Sequence, residues 1–292
     1  MTRIVESPEA FRGALEVARA MGHRVGFVPT MGALHEGHLA LVTEARARGA
    51  TFVALSLFVN PTQFGPNEDY SRYPRTFDAD FARCREAKVD VLFAPAREAM
   101  YPKGFASVVE VRGLTDVLEG VHRPGHFAGV TTIVAKLFGL AGSCVAVFGR
   151  KDYQQWKVIE RMARDLDMHV EVVGMPTVRE ADGLALSSRN RYLSPEERQR
   201  ALASARGLRA AVHALDAGER DAATLAGLAR REIEPVFDAI DYVAIADADS
   251  LAPIDRVADR AVLAVAAKIG ATRLIDNVVL GEERGPAGPP SE

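Results

Sequence analysis

Residues 1–176 alternate short apolar segments with longer amphipathic ones, and this alternation restricts the fold more than any other feature of the chain. Segments 24–29 and 51–59 predict buried strands, and segment 36–48 between them predicts a helix. The same order continues as helix 77–87, strand 89–94, helix 131–141, strand 144–148, helix 152–167 and strand 169–173. Short strands separated by helices predict an α/β fold with a Rossmann-like, doubly wound parallel sheet.

The pattern changes after Pro176. The sequence Ser-Pro-Glu-Glu at 194–197 predicts a helix start, because Pro fits the first helical position and acids favour the first turn. This helix is expected to end near Ala217, and helix 221–237 and strands 242–246, 260–268 and 272–279 follow it. We therefore expect a Rossmann-like domain over residues 1–176, a smaller C-terminal α+β domain over residues 177–280 and a disordered tail over residues 281–292.

Composition excludes several classes of protein. The 292 residues are 48% hydrophobic and 26% charged, as in ordinary globular proteins, and the net charge of −3 gives no electrostatic case for nucleic acid. Cys84 and Cys144 lack metal-ligand spacing, and we expect two free buried thiols in a reducing compartment. No apolar run is long enough for a membrane span, and residues 1–6 lead into a polar, helix-like stretch without a leader peptide. A cytoplasmic location is therefore expected.

The strongest candidate for a ligand site is segment 29–38, Pro-Thr-Met-Gly-Ala-Leu-His-Glu-Gly-His, which follows the predicted strand 24–29. Ligands bind at the carboxyl edge of an open α/β sheet, and a helix N-terminus offers unpaired N–H groups to phosphate oxygens. Two glycines in the segment allow a ligand to approach the backbone closely. His35 and His38 lie on one helical face, and both can donate hydrogen bonds to phosphate. The segment therefore predicts a nucleotide-phosphate site.

A histidine pair at this spacing has two other interpretations, a metal site and a structural role. Zinc needs a third protein ligand, and no nearby Cys or obvious acid supplies one, so phosphate binding is favoured. The arrangement resembles the HIGH signature of nucleotidyltransferases and class I aminoacyl-tRNA synthetases, with His35 and His38 at its two histidine positions.

Segment 183–190, Gly-Leu-Ala-Leu-Ser-Ser-Arg-Asn, is the candidate for the second phosphate-binding element of that superfamily. The hydroxyls of Ser187 and Ser188 and the guanidinium of Arg189 can hold triphosphate oxygens and stabilise charge on departing pyrophosphate. Such a turn alone is a weak signal, because hydroxyls also cap turns and helices. Its pairing with segment 29–38 gives it weight.

Two further segments follow predicted strands. Segment 149–155, Gly-Arg-Lys-Asp-Tyr-Gln-Gln, offers Lys151 to phosphate, although an ordinary strand-to-helix turn looks similar. Segment 58–64, Phe-Val-Asn-Pro-Thr-Gln-Phe, ends the second predicted strand at the same edge of the sheet. Gln63 and Gln155 supply neutral amides, which can bind the hydroxyl and carboxylate groups of a small polar substrate.

An ordered series of motifs identifies the family that the chain resembles. The motifs are segments 29–38, 58–64, 72–76 (Arg-Tyr-Pro-Arg-Thr), 123–127 (Arg-Pro-Gly-His-Phe), 151–155 (Lys-Asp-Tyr-Gln-Gln) and 186–190 (Leu-Ser-Ser-Arg-Asn). Their order and spacing resemble the pantothenate synthetase, or pantoate–β-alanine ligase, family, and the resemblance extends to the Leu-Ile-Asp-Asn segment 274–277. One departure is Arg150, where the family usually has an acid.

The resemblance implies an ATP-dependent ligase with two half-reactions. Pantoate would attack the α-phosphorus of Mg-ATP to give pantoyl adenylate and pyrophosphate, and β-alanine would then displace AMP. The first domain would bind ATP and pantoate, and the C-terminal domain would act as a lid. Mg²⁺ would be held largely by phosphate oxygens and water. A homodimer is the family expectation.

Residue roles follow from the same resemblance. Catalytic roles are implied for His38, His35, Lys151, Ser187, Ser188 and Arg189. ATP contacts are implied for Met31, Gly32, Ala33, Leu34, His35, Glu36, Gly37, His38, Gly149, Arg150, Lys151, Asp152, Val178, Leu186, Ser187, Ser188 and Arg189. Gln63 and Gln155 would bind pantoate, with Gln63 also a candidate contact for β-alanine. Asp80 is a candidate metal contact, and His122, Arg123 and His126 are expected to border the site.

Two other functions share part of this pattern. An adenylyltransferase acting on nicotinamide nucleotide or pantetheine phosphate transfers AMP to a phosphate acceptor. A cationic pocket would then be expected where the neutral Gln63 and Gln155 lie. A nucleotide-binding regulator without turnover is disfavoured by the intact set of histidines, lysine and Ser-Ser-Arg. Measurement of pyrophosphate release separates a regulator from an enzyme.

Overall fold

The computed structural model describes residues 1–66 and 68–286. The strands are β1 (Arg3–Val5), β2 (Val25–Thr30), β3 (Phe52–Leu57), β4 (Val91–Phe93), β5 (Cys144–Gly149), β6 (Val170–Met175), β7 (Ala239–Asp247), β8 (Ala261–Ile269) and β9 (Thr272–Leu280). The helices are α1 (Pro8–Ala20), α2 (Glu36–Ala47), α3 (Phe77–Glu86), α4 (Arg97–Met100), α5 (Glu119–His122), α6 (His126–Ala141), α7 (Tyr153–Asp165), α8 (Pro195–Asp216) and α9 (Ala222–Ile233). Among these helices, none is long and apolar enough to cross a membrane.

The chain forms two compact units, and each unit is assembled from several segments. Unit 1 comprises Met1–Thr115, Arg123–Arg150 and Gln155–Pro176. Unit 2 comprises Asp116–His122, Lys151–Gln154 and the chain from Thr177 onward. The chain therefore passes from one unit to the other after residues 115, 122, 150, 154 and 176.

Unit 1 contains a six-stranded parallel sheet with the strand order β1-β4-β3-β2-β5-β6. Strand β2 is central, since Phe27 pairs with Ala54 of β3 on one side and with Ala146 of β5 on the other. The chain order reverses across β2 and β5. At such a reversal the carboxyl ends of the strands leave a crevice where ligands bind. The predicted doubly wound parallel sheet is confirmed.

The edge strand β1 is the element that sequence patterning misses. Residues 1–6 were expected to lead directly into a helix, yet Arg3–Val5 pairs in parallel with β4, and only Val5 of the three residues is buried. A three-residue strand is too short to show the alternation on which such predictions depend. The following helix, α1, is capped by Ser7, whose Oγ accepts a hydrogen bond from Ala10 N at 3.1 Å.

Unit 2 contains a three-stranded antiparallel sheet, β7-β8-β9, with its own hydrophobic core. Leu208 of α8, Leu225 of α9 and Leu263 of β8 are fully buried in that core. Helix α8 starts as predicted, because Ser194 Oγ accepts from Glu197 N and Glu197 Oε2 accepts from Ser194 N. The smaller α+β fold is confirmed.

The expected disordered tail spans residues 281–292, and only residues 281–286 of it are described. Within them, the carbonyl of Pro286 accepts a hydrogen bond from Arg209 Nε at 3.1 Å. Residues 287–292 lie outside the described chain, where the expectation of disorder stays a prediction.

The short segment Asp116–His122 attaches to the sheet of unit 2 through Glu119, which is 6% exposed. Arg273 of β9 donates to both carboxylate oxygens of Glu119 at 2.7 Å, and Tyr242 of β7 donates to Oε1 at 2.8 Å. Burial and the neighbouring Glu119 carboxylate raise the pKa of Tyr242, so this phenol stays protonated. A satisfied buried network of this kind holds the segment in one position.

Candidate active site

The turn between β2 and α2 has a backbone conformation fixed by a buried carboxylate. Gly32 and Ala33 lie in the left-handed region, with φ values of 85° and 51°. Glycine adopts this conformation readily, whereas alanine needs support from its surroundings. Ala33 N donates to Asp80 Oδ2 at 2.9 Å, and Leu34 N donates to Asp80 Oδ1 at 2.7 Å. Asp80 therefore shapes the turn that presents the start of α2.

Asp80 was expected to contact metal, and its surroundings favour a structural role instead. The residue is 3% exposed, and Thr76 Oγ1 adds a third hydrogen bond to Oδ2 at 3.1 Å. Both oxygens are thus occupied by protein donors. Across the described chain, no group of three or more His, Cys, Asp or Glu side chains is arranged to hold a metal ion.

His35 and His38 lie together at the start of α2, as predicted. His35 is the N-cap residue, and the centroids of the two rings are 4.1 Å apart. His38 Nδ1 faces the backbone N–H of His35 at 3.3 Å and therefore acts as an acceptor. In a neutral imidazole the other nitrogen, Nε2, then carries the proton and is a donor. Both side chains are half-buried, so each keeps access to a ligand.

Glu36 belongs to the same turn, but its side chain pairs with α3. Arg83 Nη1 donates to Glu36 Oε1 at 2.8 Å, and this hydrogen bond holds the pKa of the carboxyl below its usual value. A carboxylate in the first turn also complements the helix dipole. The Glu36 carboxylate is therefore engaged within unit 1.

Gln63 is brought next to the turn after β2. Its Nε2 lies 3.3 Å from Met31 Sδ, and its Oε1 accepts from Asn60 Nδ2 at 3.0 Å. Asn60 is 1% exposed and also accepts from Tyr101 Oη at 2.8 Å. Sequence reasoning did not assign Asn60 or Tyr101, although Asn60 lies inside the 58–64 motif. Together they fix the orientation of the Gln63 amide.

Gln63 and Glu68 are held further by two residues that were expected to border the site. His126 Nδ1 donates to the carbonyl of Gln63 at 2.8 Å. Arg123 donates to both oxygens of Glu68, at 2.7 and 2.6 Å. Burial alone would raise the pKa of Glu68, but the hydrogen bonds from Arg123 lower it overall. Arg123 and His126 therefore keep Glu68 and the backbone of Gln63 in place.

The two glutamines of the 151–155 motif have different surroundings. Gln154 Oε1 accepts from Glu119 N at 2.9 Å, and its Nε2 donates to Val117 O at 2.8 Å. Gln155 is half-buried, and none of the described residues forms a hydrogen bond with its amide. Gln154 thus holds unit 2 together, whereas the Gln155 amide is available to a ligand.

Arg150, the departure from the family pattern, lies against the ring of Trp156. Its guanidinium carbon is 5.0 Å from the ring centroid, and Nε donates to Gly174 O at 3.1 Å. Gly174 permits this packing, because a Cβ there would lie 2.3 Å from the Trp156 ring. The arginine is therefore engaged by cation–π and hydrogen-bond contacts within unit 1. By contrast, the neighbouring Gly149 has open space around it.

Unit 2 carries the remaining predicted residues on two segments. Ser187 caps the short 3₁₀ helix Ser188–Tyr192, with its Oγ accepting from Arg189 N at 3.2 Å. Leu186 N donates to Val178 O at 3.0 Å, so these two predicted adenosine contacts lie side by side.

The second segment of unit 2 contains Lys151 and Asp152. Lys151 Nζ is 4.0 Å from Asp152 Oδ2, which is too long for a hydrogen bond. The Lys151 side chain is 18% exposed, and Asp152 is exposed. The ammonium group therefore keeps its hydrogen-bonding capacity for an anionic ligand.

Comparison with known proteins identifies the family of the chain. The family model described as pantoate–β-alanine ligase matches residues 3–279. A pantothenate synthetase from Moorella thermoacetica is 53% identical over 278 residues, which cover 95% of this chain and 98% of that protein. The crystal structure of pantothenate synthetase from Thermus thermophilus has a TM-score of 0.89 and 50% identity, and covers 94% of this chain and 98% of that chain.

A second solved structure carries ligands. It is a pantoate–β-alanine ligase from Francisella tularensis complexed with β-γ ATP and β-alanine. Its TM-score is 0.77 at 31% identity, and the match covers 97% of this chain and 99% of that chain. The family model, the relatives and the fold agree over nearly the whole length, and the chain belongs to the pantoate–β-alanine ligase family.

Proposed function

We propose that this chain is an AMP-forming ligase that condenses pantoate with β-alanine to give pantothenate, with ATP as the energy source. The family match over residues 3–279 carries this proposal. The paired histidines at the start of α2, which follows the central strand of the sheet, support ATP as a substrate. Such a helix start favours phosphate oxygens through its free N–H groups and its dipole.

In the first half-reaction, a carboxylate oxygen of pantoate forms a bond with the α-phosphorus of ATP. The bond from that phosphorus to the bridging oxygen breaks, and the electron pair leaves with pyrophosphate. His35 and His38 would donate to phosphate oxygens, with His38 as the principal catalytic histidine. Lys151, Ser187, Ser188 and Arg189 are the proposed phosphate ligands of unit 2. Their effect is electrostatic, since positioned donors stabilise charge that develops on the leaving group.

Pantoate is assigned to neutral amides. Gln155 has an available amide, and Gln63 is held in orientation by Asn60. Neutral donors bind the hydroxyl and carboxylate groups without a formal charge that would weaken the nucleophile. Positioning the two substrates together supplies much of the rate, because reactants held in line no longer lose translational freedom at the reaction step.

In the second half-reaction, β-alanine attacks as a free amine. Its nitrogen forms a bond with the acyl carbon of pantoyl adenylate, the carbon–oxygen bond to AMP breaks, and the nitrogen releases a proton. Gln63 is the proposed contact for β-alanine as well as for pantoate. AMP and pantothenate are the products.

Mg²⁺ would enter this site with ATP. Its preference for water and phosphate oxygens means that it needs few protein ligands. This fits the described residues, which contain no cluster of three or more ligand side chains and in which the oxygens of Asp80 bind backbone amides. When bound, the ion would neutralise part of the phosphate charge.

We also propose a homodimer and a cytoplasmic location. The family supports the dimer, and the free buried thiols of Cys84 and Cys144 fit a reducing compartment. Light scattering after size-exclusion chromatography tests the dimer, and cell fractionation tests the location. A mass of one chain, about 31.5 kDa, would contradict the dimer.

The function is tested by ATP–pyrophosphate exchange without β-alanine. Exchange that requires pantoate is expected, because formation of the adenylate is reversible. Exchange with other acids but not with pantoate would overturn the substrate assignment. No exchange with any carboxylic acid would show a binding protein without this chemistry.

A further inference from the structure

Two adjacent residues of β9, Asp276 and Asn277, contact two separate segments of unit 2. They are 4% and 3% exposed, so their side chains are buried. They belong to the Leu-Ile-Asp-Asn segment noted in the sequence, to which the proposed reaction gives no role. Buried polar side chains form hydrogen bonds, and the groups to which they bond indicate what they hold in place.

Asp276 binds the first segment through Arg179. Arg179 Nη1 donates to Asp276 Oδ2 at 2.8 Å, and Nη2 donates to Oδ1 at 2.9 Å. The same guanidinium donates to Asn277 O at 2.9 Å and to Gly183 O at 3.1 Å. A two-pronged pair of this kind fixes direction as well as distance.

Arg179 starts a hairpin that ends at the predicted phosphate ligands. Arg179 forms an antiparallel bridge with Ala185, and Leu186 N donates to Val178 O. Ser187, Ser188 and Arg189 follow directly. Asp276 therefore fixes the base of the hairpin from which these three residues extend.

Asn277 binds the second segment. Its Nδ2 donates to the backbone carbonyl of Lys151 at 2.7 Å. The Lys151 backbone is therefore bonded to β9, the same strand that holds the base of the hairpin. Gln154 and Tyr153 add contacts from the same segment, to Val117 O and Ala248 O.

We propose that Asp276 and Asn277 are positioning residues for phosphate binding. Together they hold Lys151 and the Ser187–Arg189 segment in one fixed arrangement, so that both meet the same triphosphate. In this role Asp276 acts through Arg179, and Asn277 acts through the backbone of Lys151. The inference rests on the proposed function, since the phosphate ligands are those assigned above.

A double-mutant cycle tests whether Asn277 acts by positioning Lys151. Pantoate-dependent ATP–pyrophosphate exchange is measured in the unmodified chain, in Asn277→Asp, in Lys151→Ala and in the double variant. Asn277→Asp keeps the side-chain size but removes the donor. It is expected to lower exchange by on the order of tenfold to a hundredfold, as small misplacements of reacting groups do. In the Lys151→Ala background the same change is expected to lower exchange by less than about twofold.

The role of Asp276 in positioning the Ser187–Arg189 segment is tested by comparing KM for ATP with KM for pantoate. Asp276→Asn removes the charge that aligns Arg179 and is expected to raise KM for ATP while KM for pantoate stays within about twofold. Arg179→Lys keeps the charge without the fork, and tests the same step if Asp276→Asn does not fold. Asp238→Asn is the matched control, because Asp238 pairs with Arg200 in the same unit and contacts neither segment.

Each outcome decides the proposal. Equal losses from Asn277→Asp in both backgrounds, or a parallel change in the KM values for ATP and pantoate with a lower melting temperature, would overturn positioning in favour of general stability. An effect of Asp238→Asn as large as that of Asp276→Asn would do the same. Absence of exchange in the unmodified chain would instead overturn the proposed function, and this inference with it.

Discussion

Two adjacent glutamines at the start of α7 differ in role, because the amide of one is bonded within the protein and the amide of the other is available to a ligand. The Gln154 amide is fully engaged by Val117 and Glu119, whereas the Gln155 amide has no partner among the described residues. The sequence marks both residues as part of one motif. It does not show which amide is engaged, because that depends on segment 116–122, which is distant along the chain.

Gln155→Ala is expected to raise KM for pantoate by about tenfold, since a hydrogen bond to a charged group is worth about 1.5–3 kcal/mol. Stability should change little, because no protein hydrogen bond is lost. Steady-state kinetics with varied pantoate measure the first effect, and urea unfolding measures the second. An unchanged KM for pantoate would remove Gln155 from the substrate site.

The matched change is Gln154→Ala. It removes the two hydrogen bonds that the Gln154 amide makes with Glu119 N and Val117 O, and the free energy of unfolding is expected to fall by about 1–3 kcal/mol. A Gln154 variant as stable as the unmodified chain would contradict the structural role assigned to this amide. The pair of variants separates loss of a ligand contact from loss of a fold contact.

His38→Ala is expected to lower pantoate-dependent exchange by about a hundredfold to a thousandfold, the effect typical of removing one donor to developing charge. The free energy of unfolding should fall by only about 0.5–1.5 kcal/mol, because one hydrogen bond from His35 N is lost. His213→Ala, on the exposed surface of α8, is the control and should leave exchange unchanged. Normal exchange in His38→Ala would exclude the catalytic role.

Helix α6 shows at the level of an element how backbone contact places a side chain. A Cβ at Gly129 would lie 2.3 Å from Thr62 O, so the helix touches the backbone of the turn that carries Gln63. Gly139 lies on the exposed side of the same helix, with nothing within 4 Å of a Cβ. The two glycines therefore serve as a matched pair.

Gly129→Ala is expected to lower the free energy of unfolding by about 1–3 kcal/mol, because the helix and the turn must separate. KM for pantoate should rise, since Gln63 moves with the turn. Gly139→Ala should raise stability by about 0.5–1 kcal/mol through helix propensity, with unchanged kinetics. Urea unfolding and pantoate kinetics measure both. A harmless Gly129→Ala would show that this close approach does not set the position of Gln63.

Elements with long periodic patterns or clear start signals could be predicted from the sequence, and those that depend on distant partners could not. The start of helix α8 at Pro195 could be predicted, because its capping residues Ser194 and Glu197 lie within one turn of the chain. Helix α6, by contrast, begins at His126, earlier than the predicted 131. Its first turn carries His126, whose ring bonds to Gln63 O, far away in sequence. Local patterns contain no information about such a partner.

At the scale of the whole molecule, the two units have separate hydrophobic cores, and the cysteine and tryptophan side chains that can report on unfolding lie in only one of them. The core of unit 1 includes Cys84, and the core of unit 2 includes Leu208 and Leu263. Both cysteines and Trp156, the only tryptophan in the sequence, belong to unit 1. Thiol reactivity and tryptophan fluorescence therefore report on unit 1 alone.

Burial raises the pKa of the Cys84 and Cys144 thiols to about 12, from an ordinary value of 9.0. Between these values the unfolded chain releases thiol protons that the folded chain keeps, so stability is expected to fall as pH rises from about 9 to about 12. Urea unfolding followed by Trp156 fluorescence at pH 8, 9.5 and 10.5 measures the slope. Cys84→Ala with Cys144→Ala should flatten that slope, and an unchanged slope would contradict the thiol contribution.

The sequence does not show which segments of the chain belong to which unit. The change of character near Pro176 is visible in the sequence, but the membership of segments 116–122 and 151–154 in unit 2 is not. These segments are bonded to each other through Gln154, and they join the later part of unit 2 through Glu119 and the carbonyl of Lys151. Their partners lie mostly more than a hundred residues later in the chain, where no periodic pattern connects them.

This order of segments has a consequence for the making of the protein. During translation, Glu119 and Lys151 are synthesised well before Arg273 and Asn277, which are their partners in β9. A chain that stops short of residue 272 thus contains every predicted catalytic residue but lacks the strand that orders them. We expect such an unfinished chain to consume no ATP, so translation that fails near its end yields an inert product rather than a faulty ligase.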